Sequence, residues 1–585
     1  MEPMAFFTSE TQNAEAPIRT EAMRRLVVVA AVIGAERARN SLIPYLQTRI
    51  GDLDQVLLAM AQKVGDLVPF IGGAEHATAL IPVVELLCGS EETIVRTAAA
   101  ASISQILLHF NNNSACKTQA LAYFEMLLRL CNYEEGDIFY SRVTACQFLP
   151  ELYLVLPAEI KPQLRELYAR LFTDEMVIVR RSAAHSFLRL VAHCDAEHRR
   201  GDLLAVFKTL ASDENAAVRL MALDIVIPYA ALLKESSCED VLSADLLPLI
   251  KAATEDVSWS SRKAICRTYG ELAKSFAASE VTETIFPGLL LLCQDQEPDV
   301  RTLAIKEVLA FLDVVGHVPF ISAFVPIAQM LVEDPFADSR KCLTLVCIDV
   351  AARVGPEASA QHLSDLVLRL TEDEDPLVRL RVLQRLDMVA RETPSLCTRL
   401  TEHLKAMLSD PNWRVRKQAA LACPAVMQHL GKEYLQDNFL PGLLLLLHDG
   451  VDEVRTAATV ALPKIAALGG ADWAYSTVFP PIRDMAKGDF LVRQSLMTAL
   501  QGILEAESLA GSTSLQSEAL ALVVNATNDK VPNVRLRAAQ VLGAACVALG
   551  PEGSRTSIRP VLAALQQDKD RDVAFFATQS IKSCA

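Results

Sequence analysis

Phe286-Pro-Gly-Leu-Leu-Leu-Leu-Cys-Gln-Asp-Gln-Glu-Pro-Asp-Val-Arg301 holds the unit that the rest of the chain repeats. Its core is an Asp followed six residues later by an Arg. The same string recurs as Asp174/Arg180, Asp213/Arg219, Asp256/Arg262, Asp295/Arg301, Asp334/Arg340, Asp373/Arg379, Asp410/Arg416, Asp449/Arg455 and Asp529/Arg535. Val usually precedes the Arg, as at Val179, Val218, Val300, Val378, Val415, Val454 and Val534. Arg96, Arg142 and Arg493 keep the Arg without the Asp at that offset. A second mark keeps step: Pro82, Pro248, Pro287, Pro326 and Pro441 each lie fourteen residues before the repeat Arg. Two marks in register over most of a chain identify tandem repeats. With Arg19, Leu58 and Ala574 in the Arg place of further copies, the count is fifteen.

Each unit reads as two helices joined by a short acidic turn. In the sixth copy Val218, Met221, Ala222, Ile225 and Tyr229 form one apolar stripe at helical spacing. The segment before the turn is a second apolar helix, which its proline is expected to kink. Asp and Asn in the turn are placed to cap the helix that follows. There is no period-2 alternation, so no sheet is expected. Such a pair cannot bury its apolar faces alone, and stacking on its neighbours does so. The predicted fold is all-α: a right-handed α-α superhelix, a HEAT-repeat solenoid of about fifteen helix pairs, spanning residues 1–585 as a single unit.

Composition agrees. Of 585 residues, 51% are hydrophobic and only 6% aromatic, as in many packed helices. The formal net charge is −15, which disfavours general binding to nucleic acid or anionic membranes. The start, Met1 to Glu10, lacks the basic segment and apolar core of a signal peptide. The longest apolar stretches, Leu26–Ala35 and the run around Leu443–Leu447, fall short of the roughly 18 residues a membrane span needs. Fourteen cysteines are scattered singly. They read as free buried thiols without a zinc or disulfide framework, and point to a cytosolic or nucleocytoplasmic protein.

The repeated Asp and Arg read first as architecture: each Arg reaches an Asp of its own or an adjacent repeat and sets the stacking. Residues that break the repetition are better candidates for contact. Trp259 and Trp413 both lie three residues before the repeat Arg, and Phe139 takes the same place in the fourth copy. A large aromatic in a turn is either a partner's anchor or a ring folded over the adjacent helix. Trp473, near an inter-repeat connection, reads as packing. Catalysis has no support. His193 and His198 are off the helical spacing of a metal pair, and no His-Glu dipeptide occurs, against a di-iron repeat enzyme. There is no phosphate loop or nucleophile elbow, so no cofactor and no metal is expected.

Ser409-Asp-Pro-Asn-Trp-Arg-Val-Arg416 resembles the eleventh-repeat turn of the scaffold (A, regulatory) subunits of protein phosphatase 2A. Glu255-Asp-Val-Ser-Trp259 is similar to the seventh repeat of that family, Met176-Val-Ile-Val-Arg-Arg-Ser-Ala-Ala184 to its fifth, Gly51-Asp-Leu-Asp-Gln-Val-Leu-Leu-Ala59 to its second and Ser90-Glu-Glu-Thr-Ile-Val-Arg96 to its third. The resemblance covers residue 17 to the end. It implies a non-catalytic scaffold in a heterotrimer. Turns in repeats 11–15, residues 401–585, would hold a phosphatase catalytic subunit, through Trp413, Arg414, Phe490, Arg493 and Val531. Turns in roughly the first eight of repeats 1–10, residues 1–400, would hold exchangeable regulatory B-type subunits, through Glu91, Glu92, Phe139, Arg180, Arg181 and Trp259. Neither nucleic acid binding nor membrane insertion is implied.

Three departures touch the regulatory end. Ser260 stands where the family has a basic residue, Ile138 where it has Trp, and Met1–Ala16 does not resemble the usual first helix, which leaves the completeness of the first repeat open. An importin-type nuclear carrier, also acidic and HEAT-built, is the main rival. No acidic loop is inserted within a repeat to favour it.

Overall fold

The computed structural model describes residues 2–110, 116–132, 139–236, 238–509 and 513–583. These contain helices, turns and bends, and among them there is no strand. The chain divides into two compact units, residues 1–292 and 293–585. Each is a series of helix pairs of HEAT type. In the first, the second helices Asp54–Val64, Thr93–Leu108, Phe139–Val155, Val177–Ala192, Ala216–Glu235 and Trp259–Cys266 pack each on the next. In the second unit Pro298–Glu307, Ala337–Val354, Pro376–Gln384, Trp413–Leu430, Asp452–Gly469, Phe490–Glu505, Pro532–Gly553 and Arg571–Ser583 do the same.

The apolar stripe of the sixth copy shows how a layer is sealed. Val218, Ala222, Ile225 and Tyr229 are buried between neighbouring helices, and Phe187 meets Tyr229 edge-on at 5.2 Å between ring centroids. Met221 differs from expectation: it is half-buried and lines a surface groove. Its helix, Ala216–Glu235, is long and apolar enough by length and composition to cross a membrane, unlike the shorter runs visible in sequence. The same helix carries Arg219 in an ion pair with Asp256, and its apolar residues are those of a layer core.

The proline effect takes a specific form. The residue before Pro44, Pro248, Pro287 and Pro480 donates its N–H five residues back: Ile43 to Ala38, Leu247 to Leu242, Phe286 to Val281, Phe479 to Ala474. The wider π turn takes up the clash between the proline ring and the preceding turn. Pro82 and Pro441 instead open short helices, Ile81–Cys88 and Leu440–Leu445. Pro326 lies inside the continuous helix His317–Leu331.

A third periodic mark closes the unit. Gly34, Gly316, Gly355, Gly431 and Gly470 each stand fifteen residues after a repeat Arg, and all have positive φ, between 83° and 96°. Glycine adopts that geometry without a Cβ clash, so it ends one helix and turns the chain into the next repeat.

The amino terminus answers a point that the sequence leaves open. Helix Pro3–Thr11, opened by the Glu2 carboxylate accepting from Ala5 N at 3.0 Å, packs against Ala16–Arg24. Phe7 is buried, and the Thr11 hydroxyl meets Tyr45 OH at 2.5 Å. A first helix pair is therefore present. Twelve cysteines are free thiols, all buried except half-buried Cys342. Cys546 departs from the free-thiol reading, being disulfide-bonded.

Candidate functional site: the turns and their arginine ladder

Among the described residues, turns that keep both the Asp and the Arg are held from two sides. Within a turn, the Asp carboxylate accepts the N–H two residues on, as Asp410 does from Asn412 at 2.7 Å and Asp529 from Val531 at 2.9 Å. The repeat Arg then braces its own turn from behind: Arg416 Nη1 donates to the Asp410 carbonyl at 2.7 Å. The other edge of the guanidinium reaches the following copy. Arg416 Nε and Nη2 donate to Asp449 at 2.7 and 3.0 Å. Arg142 and Asp174, Arg219 and Asp256, Arg301 and Asp334, Arg340 and Asp373, Arg379 and Asp410, Arg493 and Asp529, and Arg535 and Asp568 repeat the two-pronged pair. Arg19 and Asp52 extend it to the first copy. Of the two alternatives left open by sequence, the side-chain pairing is with the adjacent repeat. The arginine's own Asp contributes its carbonyl.

Three rungs depart from the pattern, the first of them because Leu58 takes the Arg place of the second copy and Ser90 the Asp place of the third. The fourth copy carries Gly136 in the Asp place, and Arg96 instead lies over the Tyr140 ring at 4.7 Å. The thirteenth copy carries Lys487 there, and Arg455 pairs within its own turn, with Asp452 at 2.8 Å. The arginine hydrogen bonds hold the carboxyls of Asp449, Asp529 and Asp568 below the ordinary carboxylate range.

The ladder makes a row of rigid turns and decides which side chains face out. In the second unit, Asn412 caps helix Trp413–Leu430 by accepting from Arg414 N at 2.9 Å. Trp413, half-buried, therefore opens the helix, and the exposed Arg414 guanidinium stacks on its ring at 4.6 Å. Phe490 likewise opens helix Phe490–Glu505 behind the Asp489 cap and stays 44% exposed. Arg493 and Val531 meet on one carboxylate: Asp529 accepts from Arg493 Nε at 2.6 Å and from Val531 N at 2.9 Å. Arg493 is thus a ladder rung, whereas Arg414 is a cation presented to solvent.

In the first unit the same division appears at the doubled arginine. Arg180 is buried and donates to Asp213 at 3.0 Å, while Arg181 is exposed and engages no other described residue. Glu91 and Glu92 are exposed in their turn, whose carbonyls at Ser90 and Glu91 accept from Arg96 at 2.7 and 2.6 Å. Trp259 is 46% exposed, with Lys263 Nζ 5.5 Å from its ring centre. Phe139 is half-buried against Tyr140, with ring centroids 4.1 Å apart. Ser260 shares a 2.7 Å hydrogen bond with Ser258. Ile138 lies outside the described residues. Trp473, away from the turns, donates to Gln436 at 2.9 Å.

Sequence reading missed further apolar members of the row. Val257 is 97% exposed beside Trp259, and Ile94, Ile178, Leu377 and Leu491 are exposed two residues before their repeat Arg. The signal was the register itself: an apolar residue at that offset lies on the outer side of a capped helix start. Among the described residues no group of His, Cys, Asp and Glu is placed to hold a metal ion.

Residues 377–485 match the family model Cnd1, non-SMC mitotic condensation complex subunit 1. The chain is 30% identical over 283 residues to the A-type regulatory subunit of protein phosphatase PP2A from Schizosaccharomyces pombe, covering 48% of this chain and 46% of the relative. It is 37% identical over 182 residues to the alpha isoform of the 65 kDa A-type regulatory subunit of serine/threonine-protein phosphatase 2A from Arabidopsis thaliana, covering 31% and 30%. Against the human beta isoform of the same 65 kDa subunit it is 29% identical over 393 residues, covering 66% and 63%. The matched segments thus span less than two thirds of these relatives' own lengths. Among solved structures, Kap121p aligns with a TM-score of 0.64 at 15% identity, covering 94% of this chain and 57% of that one, which shows a shared helical-repeat fold.

Proposed function

We propose that this chain is the non-catalytic scaffold of a protein phosphatase 2A-type serine/threonine phosphatase. The similarity to relatives named as A-type regulatory or scaffold subunits supports the role. The observation that carries the site is the rigid, outward row of helix starts bearing Trp413 with Arg414 and Phe490. An aromatic anchor beside a stacked guanidinium is the kind of group that dominates protein–protein contacts. On this reading the turns of repeats 11–15 take the catalytic subunit, centred on Trp413, Arg414, Phe490 and Val531, with Arg493 holding the turn of Val531 in place. The turns of the first eight repeats take exchangeable regulatory subunits, through Glu91, Glu92, Phe139, Arg181 and Trp259, with Arg180 positioning its neighbour. On this reading the scaffold works in the cytoplasm, and several turns acting together give avidity that no single turn has.

The test is affinity purification of the tagged chain from its own cells, followed by mass spectrometry. The reading expects phosphatase catalytic and regulatory subunits. Substituting Trp413 and Arg414 by Ala should deplete the catalytic subunit while leaving regulatory subunits bound. Equal recovery of the catalytic subunit would remove the site assignment, and recovery of transport factors instead would remove the scaffold reading.

A further inference from the structure

A groove of about 570 Å³ crosses the exposed face of four consecutive second helices of the first unit: Thr93–Leu108, Phe139–Val155, Val177–Ala192 and Ala216–Glu235. Its charge runs against that of the chain. The protein has 71 acidic residues and a net charge of −15, yet no described Asp or Glu lines this groove. Arg181, His185 and Arg189 do, at four-residue steps along one helix. All three are exposed. Arg189 bonds the Gln147 carbonyl and lies 3.4 Å from Glu151 at the rim. Arg181 and His185 engage no other described residue, so their polar ends are available to a ligand. Ala101, Ile178 and Met221 give the groove apolar surface beside them.

We propose that this groove binds an extended acidic peptide segment of a partner protein. Four residues along a helix advance about 6 Å. Every second side chain of an extended peptide advances about 6.6 Å, so carboxylates at alternate residues fall on Arg181 and His185 in turn. Arg181 donates two N–H groups to a carboxylate, and the His185 imidazole offers an N–H in either protonation state. An apolar side chain next in the segment lies on Ile178 and Met221. Nucleic acid fits less well, because its phosphates run on past the short basic row into an acidic surface. The inference shares Arg181 with the proposed regulatory contacts. It does not depend on which phosphatase subunits bind the turns, and its test uses the full-length chain alone.

The probe is a fluorescein-labelled dodecapeptide alternating Glu and Ser around one central Leu, titrated with the full chain and read by fluorescence anisotropy. Saturable binding that weakens as salt rises is expected, with the Arg181→Glu/His185→Glu variant weaker by about tenfold or more. Lys234→Glu, an exposed change at the end of a neighbouring helix, should bind as the unaltered chain does. Circular dichroism checks the double variant's fold, and His185→Glu alone carries the same test if that fold is lost. Undiminished binding by the variants overturns the proposal. So does equal binding of a Lys-for-Glu peptide, tighter binding of an oligouridylate of equal length, or no anisotropy change up to about 100 μM chain, a ceiling above which a binding site this open would be too weak to matter.

Discussion

Arg142 and Asp174, thirty-two positions apart in sequence, form a rung sealed from solvent: Nε donates to Oδ2 at 2.7 Å, with side-chain exposures of 3% and 0%. Such a pair is costly to desolvate and costlier to break from one side. Arg142→Ala should therefore destabilise the first unit by about 3–5 kcal/mol, because it takes the guanidinium away from a buried carboxylate. Replacing both residues together, Arg142→Met with Asp174→Leu, should cost much less. Urea denaturation of the three proteins measures the difference.

The ladder also sets the response to acid. Asp449, Asp529 and Asp568 have depressed carboxyl pKa values in the folded chain, held there first by their arginine hydrogen bonds. The folded state thus binds fewer protons than the unfolded chain as pH falls past the ordinary carboxylate pKa. The stabilisation is full above about pH 4 and is lost below it, as pH falls through the folded values. Thermal melts should show no ladder-dependent loss between pH 7 and 5, then a steep fall below about pH 4. Asp449→Asn should lower stability at pH 7 and flatten that fall.

Burial governs the thiols. It pushes Cys347, Cys397 and Cys423 up to about 12. Since the thiolate is the reacting species, these cysteines should label with a thiol reagent at pH 8 orders of magnitude more slowly in the native chain than in urea. Mass spectrometry after brief alkylation reads the ratio at each site. Rapid native labelling of Cys423 would show that its layer opens freely.

Trp413 and Arg414 should behave as a pair. With the guanidinium 4.6 Å from the ring centre, each orders the other at the helix start. Single Ala substitutions should each weaken catalytic-subunit binding, and the double substitution should cost less than their sum, by about 0.5–1 kcal/mol in a double-mutant cycle. Stability should change little, since Arg414 is exposed and Trp413 half-exposed on the turn.

Much of this architecture was legible in the chain. Among the described residues the Asp and Arg period located the turns that keep both marks, and its phase put Trp413, Phe490 and Trp259 at helix starts. Which way each Arg points was not legible, because its own Asp and the next one are both within reach of a long flexible side chain. The structure divides the work, carbonyl from one and carboxylate from the other. That is why Arg493 emerges as a brace while Arg414 emerges as a free cation. The prolines announced a disturbance in the first helices, but its π form depends on how the neighbouring layer packs. The glycine mark at Gly34, Gly316, Gly355, Gly431 and Gly470 was present in the sequence and became meaningful once their positive φ was seen. Pro3–Thr11 lacks a strong amphipathic pattern, so its burial of Phe7 required tertiary contacts to reveal it. The groove around Arg181 and His185 draws on several repeats at once, and no single-repeat pattern contains it.

The most direct test is to titrate a purified phosphatase 2A catalytic subunit with the full-length chain, comparing the unaltered protein with Trp413→Ala/Arg414→Ala by calorimetry. The account predicts one-to-one binding that weakens by about 30-fold or more in the variant, the range of a hot-spot pair, with an unchanged urea midpoint. Absence of binding by the unaltered chain, or equal affinity of the variant, would contradict it.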